Sequence, residues 1–138
     1  MFRCLAHACV MTLLLAFPAL HAQDVDAESL QLYGGTYSTR CGDARAPQLV
    51  AGPATLTIRH GSRQVSTPLR MDSHTSFGAA ETSAIPEGYE LEFIGDDFSL
   101  YVFKDAKGPY VPLEAYTPAA KAVVGSDAMH AHFARCAA

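Results

Sequence analysis

"ATLTIRHGSRQVSTPLRM", residues 54–71, decides the fold class. In "ATLTIRH" (54–60), Ala54, Leu56 and Ile58 share one face, with Thr55, Thr57 and Arg59 on the other. That is the period of a half-buried β-strand. Gly61 and Ser62 follow, a two-residue turn with glycine where a type II′ turn needs it. "RQVSTPLRM" (63–71) then returns, and Pro68 marks an edge strand or a broken one, because proline has no N–H to give to a ladder. The unit is an antiparallel hairpin.

The pattern repeats on both sides. "LQLYGGTYST" (30–39) reads as a strand rich in Tyr and Thr, with Gly34 and Gly35 at a bulge or a close approach. "GDARAPQLVAGP" (42–53) reads as a loop by composition. "GYELEFIG" (88–95) sets Tyr89, Leu91 and Phe93 against Glu90 and Glu92. "FSLYVFK" (98–104) is apolar on both faces, as a central strand is. "DAKG" turns it, and "PYVPLEAY" (109–116) returns. Then Thr117 as cap, Pro118 in the first turn and Gly125 as stop frame a short helix. "AMHAHFARC" (128–136) reads as a last strand. Together these predict an all-β chain: a single antiparallel β-sandwich or small barrel of about seven strands with one short C-terminal helix.

The N-terminus predicts export. Arg3, the apolar run "CVMTLLLAF" (9–17), the break at Pro18 and the small residue Ala22 have the order of a secretory signal peptide over residues 1–22. The run is shorter than the ~20 residues that span a bilayer. Neither Cys4 nor Cys9 follows it, as a lipid-anchored cysteine would. A single β-rich domain over 23–138 remains, of a length that supports one core. It holds two cysteines, Cys41 and Cys136, and in an oxidising compartment these two most simply pair.

Charge narrows the partner class. Arg3 is the only charged residue before position 23, so the domain has nine bases against fourteen acids. This balance argues against nucleic acid and against an anionic membrane surface. The charges are also segregated. Arg40, Arg45, Arg59, Arg63 and Arg70 fall in 40–70, and Asp72, Glu81, Glu87, Glu90, Glu92, Asp96 and Asp97 in 72–97. Cross-strand pairing explains such a split, and so does an acidic face that meets a basic protein.

Enzyme and metal motifs are sparse. His130 and His132 lie two apart, a spacing that can hold a metal, yet no third or fourth ligand has linked spacing, so they read as two surface histidines on an edge strand. No Gly-x-Ser-x-Gly occurs, and Asp96-Asp97 reads as a turn former. No catalytic residue, cofactor or metal is assigned. The stretch "MDSHTSFGAAETSAIP" (71–86) is long for a join between strands. Its one ring residue, Phe77, sits among Ser and Gly, either as a contact anchor or tucked into the core.

"LYGGTYSTRC", "SFG", "YVFKDAKGPYVPLEA" and the closing "ARC" resemble a group of small exported bacterial proteins over residues 32–136. More distantly, the layout is similar to periplasmic lysozyme inhibitors and to periplasmic immunity proteins that neutralise cell-wall-degrading toxins. Those are small disulfide-tied β-domains that push a Ser/Gly loop with a ring residue into an enzyme cleft. The resemblance implies a protein-binding site at Ser73, His74, Ser76, Phe77 and Gly78, in a residue order that differs from the inhibitors' Ser-Gly…Tyr. It implies an exported periplasmic inhibitor or immunity protein. The alternative is a periplasmic module that binds a small molecule or an envelope component in its interior or mouth. Cell fractionation should find the protein in the periplasm with no acyl group on Cys4 or Cys9 by mass spectrometry; recovery with the membranes would contradict the export expectation.

Overall fold

The computed structural model describes residues 25–74, 88–113 and 117–138. The hairpin at its centre is β3 (Thr55–His60) and β4 (Arg63–His74), paired from Thr55↔Pro68 to His60↔Arg63. Gly61 turns it at φ 60°, the left-handed backbone that the expected turn requires. Leu56 and Ile58 face inward and are fully buried.

Around it lie β1 (Gly35–Ser38), β2 (Gln48–Ala51), β5 (Leu91–Gly95), β6 (Ser99–Asp105), β7 (Gly108–Val111) and β8 (Phe133–Arg135). All pair antiparallel in chain order, and β8 returns to β1 through Tyr37↔Arg135 and Ser38↔Ala134, so the sheet closes into an eight-stranded barrel. The barrel alternative therefore holds, with one strand more than predicted and no sheet centre for "FSLYVFK" to occupy. An eight-stranded barrel has an interior that side chains just fill. Tyr37, Leu56, Ile58, Leu91, Phe93 and Phe133 are among those that fill it, all at 0% exposure. The outer face carries Gln48, Arg59, Ser66 and Glu92 among its polar groups.

β7 ends at Val111 rather than at 116, β4 runs on to His74, and three further segments differ from the sequence reading. "LQLY" is not extended. It belongs to the helix α1 (Ala27–Tyr33), whose N-cap Asp26 accepts the Ser29 N–H at 3.1 Å. Gly34 ends it in a close approach, since a Cβ there would stand 2.4 Å from Leu30 O. The loop reading of 42–53 hides β2: Leu49 and Ala51 alternate inward, but Pro47, Gly52 and Pro53 crowd both ends of so short a strand. In 128–136 only Phe133–Arg135 is strand. Asp127–His130 form a 3-10 turn that buries Met129, so His130 and His132 do not share a strand face. The expected C-terminal helix is α2 (Pro118–Val124), stopped at Gly125. Thr117 sits at its N-cap, but its hydroxyl donates to Ser99 O at 3.3 Å instead.

Pro68 is the last β4 residue paired with β3; from Leu69 to His74, β4 pairs with β5. The register slips between Leu69 and Met71, and such a bulge re-aims the extra residue. Arg70 swings to Asp96 in a two-pronged bond of 2.6 and 2.5 Å. Arg40 pairs with Asp43 at 3.1 Å, and Arg59 with the neutral Gln48 at 2.8 and 2.6 Å. Cross-strand pairing thus accounts for Arg70 and not for the acidic segment as a whole.

Cys41 and Cys136 are bonded, with Cα atoms 5.4 Å apart and a sequence separation of 95. Closing so long a loop restricts the unfolded chain, worth roughly 4 to 5 kcal/mol in the chain-entropy account. Replacing both cysteines by serine should lower unfolding free energy by about that much in urea titration. Thiol counting on the denatured, unreduced protein should find none free at these two positions.

Candidate functional site

Antiparallel order gives the barrel two distinct ends. At one end lie the start of β1, the end of β4, the start of β5 and the end of β8, with α1 beside them. At the other, α2 packs on β3 and β4 with Ala120, Val123 and Val124 buried. Of the candidate residues, Ser73 and His74 belong to the first end.

There β4 outruns β3. Beyond Pro68 its inward positions have no β3 neighbour, and α1 takes that place. Asp72 and His74 pair with Phe93 and Leu91, both inward-facing, so they point toward α1. Ser73 pairs with Glu92 on the outer face. The Asp26 N–H donates to Asp72 Oδ1 at 2.9 Å, and Ser29 Oγ lies 3.1 Å from His74 Nε2 and 3.4 Å from Asp26 Oδ2. Tyr33 meets the His74 ring edge-on, 6.4 Å between centroids. The helix is tied at its other end too. Arg135 donates to Gly34 O at 2.8 Å and Gln31 O at 3.0 Å, and the buried Tyr37 hydroxyl donates to Tyr33 O.

The proton roles follow from the partners. A carboxylate only accepts, so the Ser29 hydroxyl donates to a carboxylate and His74 Nε2–H donates into the serine oxygen. Burial pushes the Asp72 carboxyl up. The Ser29 hydroxyl, the N–H groups of Asp26 and of Asp72 itself, and the nearby His74 outweigh it, holding the carboxyl below the usual aspartate range. On the outer face, burial, the Glu92 charge and hydrogen bond, and Tyr89 push the Tyr101 phenol up to about 12.

A serine, a histidine and two aspartates in contact invite comparison with a hydrolytic triad. The geometry is different. In a triad the carboxylate orients the imidazole and the serine faces substrate. Here the Asp26 carboxylate contacts the serine, and Ser29 is only 1% exposed. The cluster fastens a helix to a strand.

Of the expected partner-binding residues, Ser73 and His74 lie on β4 rather than in a loop, Ser73 facing outward and His74 engaged with α1. Ser76, Phe77 and Gly78 lie outside the described residues. The Ser29–His74 contact escaped the sequence reading because 45 residues separate the two. The capping Asp26 was the one local hint. Among the described residues no group of three or more metal-ligating side chains occurs. Comparison with protein-family models, curated proteins and solved structures returned no match.

A carboxyl that titrates below its unfolded value of 3.8 contributes stability that is present above that value and lost as pH falls through the folded one. Asp72→Asn should therefore flatten part of the fall in urea midpoint below about pH 4. Ser29→Ala should cost about 1 to 2 kcal/mol and speed amide exchange across α1. Unchanged α1 exchange in Ser29→Ala would show that the helix is held by packing alone.

Proposed function

We propose that this chain is an exported periplasmic protein that binds and inhibits a toxin or a peptidoglycan hydrolase, as an immunity protein does. The filled barrel carries this reading. With interior positions such as Leu56, Leu91 and Phe93 fully buried, a partner meets the outside and the ends, which favours a protein surface over a small molecule housed within. The end that bears α1 offers such a surface. There β4 and β5 run past β3, bring Ser73 beside Glu92 on the outer face, and are joined through residues 75–90, which include Phe77. Asp26, Glu28, Asp72, Glu90 and Glu92 make this region acidic, and complementary charge speeds encounter with a basic partner.

The test mixes the purified protein with a muramidase, an amidase and an endopeptidase on isolated cell walls, and with the product of any toxin gene beside its own. Inhibition should be complete near one equivalent for at least one of them. Phe77→Ala should weaken that complex by about 2 kcal/mol, roughly thirtyfold, with the melting curve nearly unchanged. A loss of about 3 to 5 kcal/mol in stability, with binding intact in the folded fraction, would assign Phe77 to the core. Full activity of every enzyme at tenfold excess would falsify the inhibitor reading.

A further inference from the structure

The outer face of β6, β7 and the entry to β8 carries a row of rings that the barrel does not use. Phe103 and Tyr110 are register partners and stack at 5.6 Å with 27° between planes. His132, just before β8, lies over Tyr110 at 4.1 Å and 19°. At the edge of this row His132 Nε2 stands 3.9 Å from Asp105 Oδ2, and both side chains are open to solvent, 50% and 38% exposed. Val102 and Val111, alternating with these positions, are the ones that face the core.

We propose that this face is a docking surface for arginine side chains of a basic protein partner. It rests on the reading of the chain as a protein inhibitor and gives the partner a chemistry. His132 shows what the face accepts: a flat, nitrogen-bearing group parallel to an aromatic ring with a carboxylate at its edge. A guanidinium is flat, carries N–H groups around its rim and is always charged, so it stacks on a ring and bonds a carboxylate at once. The charges agree. Among the described residues, the outward positions of β5 to β8 hold Glu92 and Asp105 and no lysine or arginine. Lys104 alternates to the opposite side, at the rim.

The probes are a tetra-arginine peptide, a tetra-lysine peptide and an N-acetylglucosamine tetramer, titrated into isotope-labelled protein with its disulfide intact. The ring signals of Phe103, Tyr110 and His132 should shift with the arginine peptide, which should bind at least about fivefold more tightly than the lysine peptide. Asp105→Asn should weaken binding by about fivefold. It keeps an acceptor for the Lys107 N–H that Asp105 holds at 2.7 Å, so the turn survives. Tyr110→Leu should abolish the ring shifts. Equal affinity for both peptides with indifference to Asp105→Asn, or ring shifts with the sugar alone, overturns the proposal. If a hydrolase is inhibited equally by the parent, Asp105→Asn and Tyr110→Leu, and the arginine peptide leaves the rings unmoved, only this inference fails. If the peptide docks on the rings and no hydrolase or toxin is inhibited, the arginine site stands and the inhibitor reading fails.

Discussion

The seam between β1 and β8 is the constraint on which everything else depends. It is short: two register pairs and one further bond, Cys136 N–H to Thr36 O at 2.8 Å. Without it the sheet would have two open edges, and open edges invite pairing with other chains. The Cys41–Cys136 bond lies beside the seam and holds it covalently. Arg135, from the same three-residue strand, reaches across to the last carbonyls of α1. One short strand thus closes the barrel and anchors the helix over its mouth.

Closure fixes the interior volume, and the interior volume fixes where function can be. Eight strands leave an interior that side chains can fill or that can hold one small ligand, and here the inward side chains are buried. Tyr37 and Phe93 take much of that space, and α2 closes the end away from α1. What remains for recognition is the outer wall and the rim. Those are the places where the chain keeps groups that packing does not explain: Met71 at 43% exposure, Glu92 beside Ser73, and the stacked rings on β6 and β7.

How much of this the sequence disclosed depended on how local each cause was. The β3–β4 hairpin was legible because alternation and a glycine turn lie within eighteen residues of one another. The limits of α2 were legible from Thr117, Pro118 and Gly125, although the cap bond itself goes to Ser99. The disulfide was legible by elimination, since one pair remained. Helix α1 was missed because it spans two turns, and its apolar Leu30 and Leu32 alternate as a strand's would. Only Asp26 and Gly34 at its ends pointed the other way. The ties of Ser29 and Asp26 to β4, and of His132 to Tyr110, had no local signal at all. Chain topology alone brings those residues together.

The same distinction separates the two parts of the surface. At the α1 end the polar groups satisfy one another: Asp26, Ser29, Asp72 and His74 spend their bonds holding a helix, which explains an otherwise odd cluster without a ligand. On the β6–β8 wall, among the described residues, the rings stack on one another, and Asp105 is shared between its own turn and His132. Stacked rings on an outer wall add nothing to a core already full, and a carboxylate at their edge keeps its acceptor capacity. A surface of that kind is costly to leave bare in water, since apolar rings gain by being covered. It is also rigid, because Phe103 and Tyr110 are each fixed on a strand of the closed barrel. Rigidity lowers the entropy that docking must overcome, which is the property the proposed arginine site asks of this wall.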